Sequence, residues 1–183
     1  MMGLLTARQW TALAPYVAGK TVEDLGAGGW DLALQLLEMG ASRVIAVDCC
    51  FRSDFLGDAP ERIDVLGRYF QEHLGSSVAP DVAFASWPDM YKSKGLEALM
   101  RRAPVAVYLG TNMDGVACGR RELFEHLVQR RVLAHVPASL NTLIVYGDVM
   151  GERRPLPEEH AALSRDTSPI VWSRSVYFEL DET

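Results

Sequence analysis

Three glycines within four residues, Gly26, Gly28 and Gly29, separate an apolar-edged run from a helical pattern, and a single carboxylate, Asp48, follows Gly28 by twenty positions. Without Cβ, glycine takes positive φ at little cost and lets a ligand reach the backbone, while the start of the following helix offers unpaired N–H groups. A carboxylate at the tip of the next strand can accept hydrogen bonds from both hydroxyls of a ribose. Asp24, just ahead of the turn, is a second carboxylate. The nicotinamide fingerprint would need a third glycine where Asp31 stands, and a carboxylate there opposes a pyrophosphate. No Gly-Lys-Ser or Gly-Lys-Thr phosphate loop and no Gly-x-Ser-x-Gly nucleophile turn occurs. The expected ligand is therefore an adenosine without phosphates.

A second group of chemistry-bearing residues is Ser86-Trp87-Pro88-Asp89-Met90-Tyr91. A Ser-x-Pro turn can present backbone carbonyls to an attacking amine, and Trp87 is either a flat wall for a planar acceptor or a plug for the end of the core. Asp89 and Tyr91 are the nearest candidates for a general base, although a turn Asp commonly bonds its own backbone. Farther on, Gly110 to Gly119 carries Thr111, Asn112 and Asp114 ahead of a helix that some of them could cap, and its three glycines suggest conformational freedom or a close approach to ligand. Of four arginine doublets, Arg120-Arg121 and Arg153-Arg154 are expected to face this edge. With Lys92 and Lys94 they form a basic rim for a carboxylate or phosphate on the acceptor, or else a solvated surface. Arg130-Arg131 is expected to end a helix. His73, His126, His135 and His160 lack ligand spacing, so no metal is expected. Cys49 and Cys50, directly after Asp48, lie near the adenosine or are simply small residues beside a strand end.

The elements that must position these residues alternate between apolar runs of four or five and helical patterns. Thr6 and Gln9 are spaced as a capping box for a leading helix that Pro15 stops within residues 1–19. Strands are expected at Val22 to Leu25, Val44 to Val47, Arg62 to Leu66, Val82 to Ala85, Val105 to Leu109 and Leu143 to Tyr146. Helices are expected at Trp30 to Met39, Arg68 to Leu74, Leu96 to Arg102 and Glu122 to Leu133. The alternation Val176, Phe178, Leu180 reads as an antiparallel closing strand, reached through a long lid-like connection over 147–169. The connections after Ala85, Leu109 and Tyr146 are expected to share the carboxyl edge of the sheet.

With 183 residues, 49% hydrophobic and 23% charged, the chain has the averages of one globular domain spanning 1–183. Eighteen basic against twenty-four acidic residues give a net charge of −6, which argues against broad electrostatic binding to nucleic acid or an anionic membrane. Three cysteines make a poor disulfide framework, and no stretch approaches a membrane span or signal peptide. A cytoplasmic, enzyme-sized domain is the expectation.

Through Asp24-Leu25-Gly26-Ala27-Gly28 as a first motif and Asp48 as the acid of a second, the chain resembles the class I S-adenosylmethionine-dependent methyltransferases. The order of elements follows that family from about Thr21 to Leu180. The resemblance implies an α/β, Rossmann-like three-layer sandwich with a mostly parallel seven-stranded sheet whose last strand is antiparallel. It implies S-adenosylmethionine as cofactor, with Asp24, Gly26, Ala27 and Gly28 on the methionine part, Asp48 on the ribose, and Phe51 covering the adenine. Ser86, Trp87, Pro88, Asp89 and Tyr91 then line the methyl-transfer side, next to a small-molecule or nucleotide-like acceptor that the sequence does not identify. Trp30 stands where the family carries its third glycine, and Trp87 and Asp89 depart from the Ser-Pro-Pro-Tyr pattern of amino-methylating enzymes. Two other functions are compatible with the same turn: a catalytically silent adenosyl-binding or protein-interaction module, and a nicotinamide-dependent oxidoreductase.

Overall fold

Thr21–Leu25 (β1) is the strand from which the sheet spreads in both directions. Its parallel neighbours are Arg43–Asp48 (β2) on one side and Val82–Ser86 (β4) on the other, flanked by Ile63–Gly67 (β3) and Val105–Thr111 (β5). Arg131–Pro137 (β6) and Asn141–Gly147 (β7) complete a seven-stranded sheet in the order β3-β2-β1-β4-β5-β7-β6. The computed structural model describes residues 5–50, 59–75, 78–88, 94–111, 119–139 and 141–148.

The central strands are near-continuous apolar runs because both faces are covered. Ala7–Val17 (α1) and Asp31–Glu38 (α2) bury Leu13, Val17, Leu32 and Leu36 against Val22, Val44, Phe84 and Val107. On the opposite face, Phe70–His73 (α3), Leu96–Arg102 (α4) and Arg121–Leu127 (α5) bury Phe70, Leu96, Leu99 and Phe124 against Leu25, Val47, Ala85 and Tyr108. Each such side chain contributes about 1.5–3 kcal/mol on leaving water, which fixes the three-layer sandwich.

Thr6 caps α1 as its spacing predicts: the Thr6 hydroxyl accepts from the Gln9 N–H at 3.3 Å, and the Thr6 N–H donates to Gln9 Oε1 at 3.0 Å. Pro15 does not stop this helix, which runs on to Val17. Gln9 is fully buried, and its amide donates to Val136 O and Asn141 Oδ1, tying α1 to the two strands at the far side of the sheet.

Beyond α5 the structure differs from the sequence reading. The expected helix to Leu133 ends at Leu127, and Arg131 begins an edge strand whose side chains are mostly half-exposed, so its pattern resembles a helix tail. Arg130 is buried between them. Its guanidinium donates to the carbonyls of Gly147, Met100, Ala103 and Pro104 and pairs with Asp148 at 3.0 Å. The antiparallel last strand is Asn141–Gly147, paired with both β5 and β6, and Val176 to Leu180 lie outside the described residues. Because β7 runs backwards, Tyr146 sits beside Ala106 at the amino end of β5. The chain after Gly147 therefore leaves from the edge opposite the carboxyl ends of β1, β2, β4 and β5, contrary to expectation. Among the described residues no helix is long and apolar enough to cross a membrane.

Candidate active site

The carboxyl edge is built by register. Leu25 pairs with Val47 and with Ala85, so the next positions, Asp48, Gly26 and Ser86, form one row across β2, β1 and β4. The chain can turn out of β1 only because Gly26 and Gly28 have φ of 86° and 60°, conformations that cost a side-chain-bearing residue about 1–2 kcal/mol. The Gly26 N–H continues the sheet by donating to Val47 O at 2.8 Å. Among the described residues, nothing lies within 4 Å of a Cβ placed on Gly28 or Gly29.

Asp48 faces the turn from the end of β2. One of its oxygens accepts the Gly28 N–H at 2.8 Å and the other the Cys50 N–H at 2.6 Å. The carboxylate and the glycine turn, twenty residues apart, are thus joined directly. Cys49 is half-buried beside it, and Ala27 packs at the margin of the core on the α2 face.

Asp24 and Glu23 put two carboxylates into the middle of an otherwise apolar strand, and alternation sends them to opposite faces. Glu23 meets His73 of α3, with Oε1 2.6 Å from Nε2 and both side chains essentially inaccessible. Asp24 is also fully buried, but neither of its oxygens meets a hydrogen-bond donor among the described residues. Burial, and secondarily the negative charge of Asp48, push its pKa up to about 8. A buried carboxylate without a donor costs free energy, and a cation delivered to it removes that cost.

The methyl-transfer side was placed by sequence at Ser86 to Tyr91. Ser86 lies beside the turn, since a Cβ on Gly26 would be 3.7 Å from Ser86 O, whereas Pro88 packs toward α5, 3.2 Å from a Cβ on Gly119. Between them Trp87 is the one non-glycine residue with positive φ among the described residues, at 47°, while its N–H donates to Leu109 O at 2.7 Å. The indole Nε1 is buried with no hydrogen-bond partner among the described residues. Asp89, Tyr91 and Phe51 lie outside the described residues.

Other expectations change. A Cβ at Gly110 would collide with the phenol of Tyr108, so this glycine makes room for the core and not for a ligand. Arg120 is ion-paired with Glu122 at 3.3 Å, Lys92, Arg153 and Arg154 lie outside the described residues, and the exit of β7 removes the topological reason to bring Arg153-Arg154 to this edge. His126 of α5 is buried, and burial together with Arg130 and Arg101 lowers its pKa to about 4. The Glu23–His73 pair escaped the sequence reading, although a Glu inside an apolar strand signals a buried partner. Asp48, Cys49 and Cys50 each place one ligand atom within 4.8 Å of the others, but both Asp48 oxygens are already engaged by amides.

With this geometry in hand, the arrangement can be compared with solved proteins. No protein-family model matches the chain, and no curated protein is significantly similar to it. The fold is nevertheless that of the class I methyltransferases. A Pyrococcus horikoshii structure provisionally assigned as an RNA methyltransferase superposes with a TM-score of 0.58 at 17% identity, over 77% of this chain and 82% of that one. The Burkholderia thailandensis 1,6-didemethyltoxoflavin N1-methyltransferase, solved with its substrate and S-adenosylhomocysteine, gives 0.56 at 19% identity over 75% of each chain. Ribosomal protein L11 methylase from Lactobacillus delbrueckii gives 0.52 at 15% identity, over 77% of this chain and 78% of that one.

Proposed function

We propose that the chain is an S-adenosylmethionine-dependent methyltransferase whose donor lies along the row Asp48, Gly26, Ser86. The observation that carries this reading is the Asp48 carboxylate joined to the Gly28 amide beside the donor-less, buried Asp24. The two carboxylates fit the two polar ends of such a donor. Asp48 accepts from ribose hydroxyls, and Asp24 faces the cationic amine of the methionine part. The open backbone at Gly28 and Gly29 accommodates the chain of atoms between them. The overlap with methyltransferases of known structure, one of them bound to S-adenosylhomocysteine, supports the same assignment.

When bound, the donor supplies a methyl group already activated by its sulfonium, so the protein's part is to hold and orient. Ser86 and Pro88, with Trp87 between them, shape the side from which an acceptor approaches. The strained backbone at Trp87 is held by the Leu109 carbonyl, which keeps this corner in one conformation. Asp89 or Tyr91 takes the acceptor's proton. The acceptor is a small or nucleotide-like molecule with a planar group.

Incubation with methyl-labelled donor and fractionated metabolite and nucleic-acid pools tests the assignment. Label should pass to one acceptor class with wild type and be reduced at least tenfold with Asp48→Ala. Absence of transfer to every pool, together with absence of donor binding, would overturn it.

A further inference from the structure

Cys49 and Cys50 follow the ribose carboxylate without an intervening residue, and their sulfurs lie 3.5 Å apart with neither in a disulfide. Cys50 is exposed and Cys49 half-buried, so a small reagent reaches the pair from solvent. Joining them requires the sulfurs to close to about 2.05 Å. A single trans peptide holds their Cα atoms at about 3.8 Å, below the usual range of roughly 4.4–6.8 Å for bridged cysteines. A bond formed under that constraint is strained and readily reduced, as in a reversible switch and unlike a structural staple. The peptide that must turn to close the ring carries the Cys50 N–H, and this N–H holds Asp48 at 2.6 Å.

We infer that Cys49–Cys50 is a reversible thiol–disulfide site whose closure pulls the Cys50 amide from Asp48 and weakens donor binding. Its reactant is a low-molecular-weight disulfide. The exposed Cys50, as thiolate, attacks one sulfur of that disulfide, giving a mixed disulfide and one released thiolate. Cys49, as thiolate, then attacks the Cys50 sulfur and expels the second. Two protein thiols are oxidised to one disulfide, the reagent is reduced to two thiols, and the two protons lost by the cysteines end on the two released sulfurs. Formation of the bond stands independently, whereas its effect on the donor rests on the role given to Asp48 above.

The experiment uses the full chain with Cys118→Ser, which leaves only this pair, treated with glutathione disulfide. Expected are loss of two hydrogens in the intact mass, loss of both titratable thiols, and an affinity for S-adenosylhomocysteine at least tenfold weaker, all reversed by dithiothreitol. A further Cys50→Ser change should make the affinity indifferent to the oxidant. A stable glutathione adduct or an intermolecular disulfide in place of the internal bond would overturn the site. The internal bond formed with unchanged affinity would overturn the switch. If the reduced protein fails to bind S-adenosylhomocysteine, the role of Asp48 falls and the switch with it, while the mass still decides whether the bond forms.

Discussion

Asp24 is a buried carboxylate whose ionisation the fold opposes. Its carboxyl holds a proton more tightly in the folded chain, at about 8, than at the ordinary value of 3.8. Between about pH 4 and pH 8 the folded state therefore carries more protons than the unfolded one, and stability falls as pH rises through that window. Asp24→Asn keeps the shape and removes the ionisation, so its melting temperature should exceed that of wild type by a margin that widens from pH 5 to pH 9. A constant margin would show that Asp24 does not ionise at a cost. Trp87 bears a different expense, in backbone conformation. Trp87→Gly should be more stable than Trp87→Ala by about 1 kcal/mol in urea unfolding, because only glycine tolerates that φ freely. Equal stabilities would mean that the corner relaxes and stores nothing.

Among the elements, β1, its turn and α2 were legible because an apolar strand, a glycine turn and an amphipathic helix agree at every local level. The same holds for β2, β4 and β5, whose buried runs admit few other readings. The edge strand β6 was not legible. Its residues Val132, Leu133 and Ala134 are half-exposed, so alternation is blurred and the run joins the preceding helix pattern. The direction of β7 was equally hidden, since a buried run looks alike in parallel and antiparallel pairs. Only the hairpin that returns the chain from Pro137 to Asn141 settles it. The glycines from Gly110 onward suggest conformational freedom or an approach to ligand because sequence does not show that Tyr108, two residues earlier, folds over Gly110. Gly110→Ala should lower stability by roughly 1–3 kcal/mol through overpacking of β5 against the phenol. An unchanged urea midpoint would show that Tyr108 simply moves aside.

For the molecule as a whole, the proposed site lies at the carboxyl edge while the opposite edge is fastened by Arg130, which bridges carbonyls from α4, the start of β5 and the end of β7. Arg130→Met strands those acceptors, and at about 1–3 kcal/mol for each one left unsatisfied the loss should be at least 3 kcal/mol by urea unfolding. A loss below 1 kcal/mol would show that water replaces the guanidinium. This division explains why β4 can end in a strained corner at Trp87 without loosening the sheet. The whole account depends on the joined Asp48 and glycine turn holding the donor's ribose. Calorimetric titration with S-adenosylhomocysteine tests this most directly: wild type should bind, and Asp48→Ala should bind roughly ten- to hundredfold more weakly, as removal of a charged hydrogen-bonding group requires. Equal affinities in the two proteins, or no heat from wild type, would contradict it.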